Sequence, residues 1–136
     1  MRLPALCFGL LIAACGSEQV TVDATPVIDA SLEPSIAATP SPTTIAAGDV
    51  VLLTVTTANF ELVNPNVAPP PKPGEGHYHY YVDDAVNYVA AWTPTVGVLI
   101  PSSAAPGVHM IRLVLVTSDH VEVTPTVETT VTFMVQ

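Results

Sequence analysis

Val50-Val51-Leu52-Leu53-Thr54-Val55-Thr56-Thr57 sets Val51, Leu53 and Val55 on one side of an extended chain and Thr54 and Thr56 on the other. Successive side chains of a strand point to opposite faces, so this pattern is that of a half-buried strand with the Val51, Leu53, Val55 set in the core. The segment Val108 to Thr117 reads differently, because Ile111, Leu113 and Leu115 alternate with the equally apolar Met110, Val114 and Val116, and only Arg112 interrupts them. An apolar run on both faces belongs to a central strand, with Arg112 near an edge or over a carboxylate.

Working outward, Thr43 to Ile45, His77 to Asp83, Tyr88 to Trp92, Val96 to Ile100 and Val127 to Val135 have the same β-forming composition. Turn signals at Gly48-Asp49, Asp83-Asp84, Pro101 to Gly107 and Ser118 to Pro125 separate them. The chain holds 21 Val and 16 Thr among its 136 residues, and no helical period of apolar residues lasts three turns. These features predict an all-β domain, an immunoglobulin-like antiparallel β-sandwich of about seven strands. Residues 58–75 contain five prolines, which forbid ladder hydrogen bonds through much of the stretch and make it a long loop with polyproline II character.

The first residues carry one positive charge, Arg2, followed by twelve residues from Leu3 to Ala14 that end in small side chains before Cys15. A spanning helix needs about twenty apolar residues, so this segment reads as a targeting signal. Ile12-Ala13-Ala14-Cys15 is similar to the bacterial lipobox, in which the cysteine thiol is lipidated and becomes the new N-terminus. The expected organisation is a signal peptide over 1–14, lipidated Cys15 and a Pro-rich acidic tether over 15–42, and the sandwich over 43–136. Gly16, where inner-membrane retention often uses Asp, favours anchoring at the outer membrane or cell surface through the N-terminal lipid. Both cysteines, Cys7 and Cys15, lie in this region, so the folded part has neither disulfide nor thiolate ligand.

The formal charge is −9, from 12 acidic and three basic residues. Such a surface repels phosphate backbones and excludes nucleic acid as a partner, while it favours cations.

The segment with most chemical content is Gly76-His77-Tyr78-His79-Tyr80-Tyr81-Val82-Asp83-Asp84. On a strand His77, His79, Tyr81 and Asp83 share one face and Tyr78, Tyr80 and Val82 the other. With the second set packed inward, two imidazoles stand side by side near the surface, about 6.6 Å apart at the backbone. They can converge on one metal ion, and His120 in the loop after the longest strand supplies a third nitrogen. Asp83 and Asp119 are candidates for a closing ligand or for a supporting position. Neutral imidazole suits both copper and zinc. Two exposed strand histidines without any ligand account for the same spacing.

In an immunoglobulin-like order the third and sixth strands are antiparallel neighbours, which brings the start of one beside the end of the other. His77 and His79 should therefore approach Asp119 and His120. His109 opens the sixth strand, roughly 30 Å from its far end. Its face carries Ile111, Leu113 and Leu115, so it reads as a partly buried structural histidine.

Gly76, His77, His79 and Asp83, then Pro106, Gly107 and His109, then His120 and Pro125 together resemble a family of small exported bacterial domains without an assigned activity. The resemblance spans roughly Val50 to Val135, and it implies an immunoglobulin-like sandwich with a metal site. The chain departs from that family in having Tyr78 between the histidines and a single histidine in the later loop.

Enzymatic readings find little support. A blue-copper centre needs a cysteine thiolate, no Gly-x-Ser-x-Gly elbow occurs, and Asp83 and Asp84, adjacent at a strand end, point apart. The expectation is a non-enzymatic, lipid-anchored domain that binds copper or zinc through His77, His79 and His120. The alternative is an adhesion or scaffold module, with Tyr78, Tyr80, Tyr81, Tyr88 and Trp92 as a platform for a glycan or protein partner. Tyr78, Tyr80 and Trp92 are expected in the core of a sandwich of this size, which weakens that alternative.

Overall fold

The computed structural model describes residues 32–67 and 70–136. The expected signal peptide, Cys15 and the greater part of the expected tether lie outside the described residues.

The alternating segment at Val50 forms β3 (Val50–Ala58), and Val51, Leu53 and Val55 are buried while Leu52, Thr54 and Thr56 face out. It is the middle strand of a three-stranded sheet, flanked by β1 (Ser35–Ser41) and β7 (Thr95–Leu99), both antiparallel to it. The opposing sheet runs in the order β2 (Thr44–Ile45), β9 (Glu128–Val135), β8 (Gly107–Thr117), β5 (Glu75–Val82) and β4 (Glu61–Leu62). In it β6 (Val89–Ala91) pairs with β5. The two sheets enclose one apolar core of Val51, Leu53, Val55, Tyr78, Tyr80, Val98, Ile111, Leu113, Leu115, Val131 and Phe133 among others. The domain is an all-β sandwich, with nine strands among the described residues rather than seven.

The seven expected strands are all present with ends shifted by at most two residues, and the two additional ones correct the sequence reading. Residues 35–41, assigned by composition to the tether, form β1 and pair with β3 along their full length, from Ser35 opposite Ala58 to Ser41 opposite Leu52. The folded unit therefore begins before residue 43. Apart from Ile36 its side chains are small and give little local signal, and Pro40 is tolerated because β1 is an edge strand whose outer side needs no ladder bond. After β1 the chain crosses to the other sheet, where β2 runs parallel to β9. Within the expected Pro-rich loop, Glu61 and Leu62 form the short β4 against the start of β5.

The expected neighbour relation of third and sixth strands is present as β5 against β8, antiparallel, with His77 opposite Val116 and His79 opposite Val114. β8 is central, between β5 and β9. Arg112 on its outer face reaches Glu128 at 3.2 Å and Asp84 at 3.9 Å and lies 4.4 Å above the Tyr81 ring, so its charge is met by carboxylates and an aromatic face. Gly76 is required by packing, since a Cβ there would be driven into the Val116 carbonyl oxygen and against Phe60. Trp92, expected in the core, is only half-buried, just beyond the end of β6.

Candidate metal centre

β5 is buried on both faces. Tyr78 and Tyr80 enter the sandwich core, while His77 and His79 project from the outer face beside Val114 and Val116 of β8. The expectation of two histidines near the surface is corrected here, because His77 is completely buried and His79 is 4% exposed. The cover comes from residues distant in sequence. Tyr88, in the turn before β6, stacks on His79 with ring centroids 3.6 Å apart and planes within 7° of parallel, and His120 packs edge-on to His77 at 4.5 Å.

His120 is delivered by a tight turn after β8. The Thr117 carbonyl accepts the His120 amide at 3.0 Å, the Thr117 amide donates to the Val121 carbonyl at 2.8 Å, and the Thr117 hydroxyl donates to the Asp119 carboxylate. His120 itself has φ of 64°, the left-handed region that costs a non-glycine residue of order 1 kcal/mol or more. That backbone geometry swings an exposed loop imidazole back over the sheet.

The outcome is a triangle of ring nitrogens. His77 Nε2 lies 3.1 Å from His79 Nε2 and 3.1 Å from His120 Nδ1, and His79 Nε2 lies 3.0 Å from His120 Nδ1. An imidazole nitrogen presents in its ring plane either one proton or one lone pair. A single shared proton can serve two of the three contacts, and the third then sets lone pair against lone pair. No assignment of protons satisfies all three, whereas one cation at the centre takes all three lone pairs. Three histidines held this closely, two buried and one exposed, can bind a metal ion.

Electrostatics keeps the ligands in the form a metal needs. Burial, then the neighbouring His120 and His79, lowers the pKa of His77 from 6.5 to about 4, and burial with His120 lowers that of His79 to about 4. Both are neutral at pH 7. With Nε2 of His77 given to a metal, its Nδ1 carries the ring proton, and among the described residues that buried atom has no hydrogen-bond partner.

The two carboxylates expected near the site stand apart from the histidine group. Asp83 follows β5 at φ of 51°, which turns its side chain away from the face it would hold on a regular strand. Its carboxylate accepts from His109 Nδ1 at 2.7 Å and from the Met110 amide at 3.0 Å. Asp119 accepts from the Thr117 hydroxyl within the turn that carries His120 and stands outside the ligand group.

His109 lies apart from the triangle, as its strand position requires. Nδ1 meets Asp83 and Nε2 meets the Ala105 carbonyl, each at 2.7 Å. Both partners only accept, so the geometry favours the doubly protonated imidazolium, and the pKa is raised first by the Asp83 bond and then by Ala105. Tyr88 was not indicated by spacing, since it lies nine residues beyond His79 across an irregular turn. Only the pairing of β6 with β5 folds it back.

No family model, curated protein or solved structure matches the chain.

Proposed function

We propose that this domain binds one divalent transition-metal ion, copper(II) or zinc, through His77 Nε2, His79 Nε2 and His120 Nδ1, on a chain exported and held at a membrane by lipidated Cys15. The observation that carries the metal reading is the nitrogen triangle, whose three contacts protons cannot satisfy together. Neutral nitrogen donors without a thiolate suit these two ions, with copper(II) binding more tightly by the usual order of affinities. The export reading rests on residues 1–15 and agrees with the resemblance to small exported domains. We take the role as binding rather than turnover.

The test is metal content of the purified chain after dialysis against micromolar free copper or zinc, followed by calorimetric titration of His77→Ala, His79→Ala and His120→Ala. Each variant should lose more than the roughly 10–100-fold typical of residues that merely support ligands. Less than about 0.1 metal per wild-type chain would sink the metal reading in favour of an adhesion or scaffold role. For the anchor, Cys15→Ser should leave the membrane fraction or stall in processing. A membrane-bound variant of unchanged mature mass would overturn that part.

A further inference from the structure

We propose that a metal ion held by His77, His79 and His120 keeps a coordination position for a small anion drawn from solution. The inference rests on the metal reading and extends it to the class of ligand the loaded site would take.

The first support is geometric. The nitrogens are 3.0–3.1 Å apart. With metal–nitrogen bonds of about 2.05 Å such a triangle subtends angles of roughly 94–98° at the ion, which sits about 1 Å out of the nitrogen plane. All three protein donors therefore occupy one side of it. Copper(II) and zinc take four or more ligands, so at least one donor must approach from the other side.

The second support is what surrounds the triangle. Among the described residues the ligand group contains the three histidines alone. Of the carboxylates flanking these histidines in sequence, Asp83 is held by His109 and the Met110 amide and Asp119 by the Thr117 hydroxyl, while Glu75, whose Oε1 is buried without a hydrogen-bond partner, stands outside the ligand group. His120 is exposed and Tyr88, stacked on His79, is 46% exposed, which marks the side on which solvent reaches the site.

Charge then selects the class of ligand. Three neutral imidazoles leave the double positive charge of the ion uncompensated beside two buried rings, where it is poorly screened. An anion at the remaining position neutralises part of it. A water molecule there is acidified towards neutrality, losing one proton to solvent and remaining as hydroxide. The chain's charge of −9 repels polyanions, which leaves small singly charged anions as the fitting group.

The experiment loads the chain with one copper(II) and titrates it with sodium azide, following absorption and electron paramagnetic resonance, with copper per chain measured after the azide is dialysed away. A saturable azide-to-copper charge-transfer band at one azide per copper, with copper retained, is the expected result. Copper bound at one per chain but with both spectra unmoved by millimolar azide overturns this inference and leaves the metal reading standing. Copper stripped from the chain by azide also overturns it, since azide would then replace the histidines. A chain that takes up no copper at all overturns both.

Discussion

Replacing His77 by Leu should affect stability in opposite directions depending on whether metal is present. His77 is completely buried, its Nδ1 has no hydrogen-bond partner, and its Nε2 belongs to a triangle whose contacts cannot all be satisfied. A buried unpaired polar group costs about 1–3 kcal/mol, while an apolar replacement of similar volume costs less than about 1.5 kcal/mol in misfit. Removing His77 also leaves the 3.0 Å contact between His79 Nε2 and His120 Nδ1 as an ordinary bond with one donor and one acceptor. The metal-free variant should therefore be more stable than wild type by about 1 kcal/mol, raising Tm by roughly 4 °C or more for a domain of about a hundred residues. With zinc at a hundred times its Kd the wild type gains about 2.7 kcal/mol and the variant, short of a ligand, does not. The order of stabilities should reverse. Urea unfolding in chelator and in excess zinc measures both halves. A His77→Leu domain less stable than wild type in chelator would show that the imidazole is a structural asset, and the reasoning from the triangle would be refuted.

Acid should act on the same residues. Because the folded-state pKa of His77 and His79 lies near 4 against 6.5 in the unfolded chain, the unfolded state binds more protons between those values. The contribution of these two residues to the stability of the metal-free domain is then complete above pH 6.5 and falls towards pH 4, by up to about 3 kcal/mol per histidine. The advantage of His77→Leu in urea should widen over that window, and a constant difference would contradict the assignment. His109 behaves with the opposite sign, since its raised pKa gives stability that is fully present below pH 6.5 and lost as pH rises through the folded value. His109→Ala should lower Tm at pH 6 more than at pH 9 and leave zinc affinity unchanged by calorimetry; a collapse of affinity would place His109 in the site. Gly76→Ala should cost more than about 3 kcal/mol in urea unfolding, because backbone and not a flexible side chain occupies the space a Cβ needs. A chain beginning at Thr43 should unfold well below one beginning at Leu32, since it lacks β1 and the buried Ile36; equal midpoints would show β1 to be dispensable.

Strand positions and faces are local properties, and they were legible. The period of two in residues 50–57 depends only on the geometry of an extended chain and places Val51, Leu53 and Val55 in the core where they are found, and the two-sided apolar run of 108–116 marks the central strand that β8 is. The same period puts His77 and His79 side by side. Once the third strand is set against the sixth, the separation of His109 from His120 follows from chain length. The remainder depended on contacts between residues far apart in sequence. Whether the outer face of β5 is wet or dry is decided by Tyr88 and His120, which reach it through an irregular turn and a left-handed residue with no periodic signature. The backbone at Asp83 turns its carboxylate to His109, which composition alone cannot foretell. Apart from Ile36 and Thr39, β1 has serine, alanine and proline where a strong strand has branched or aromatic residues. Its strand form comes from seven residues of pairing with β3, a tertiary gain that outweighs a weak local preference.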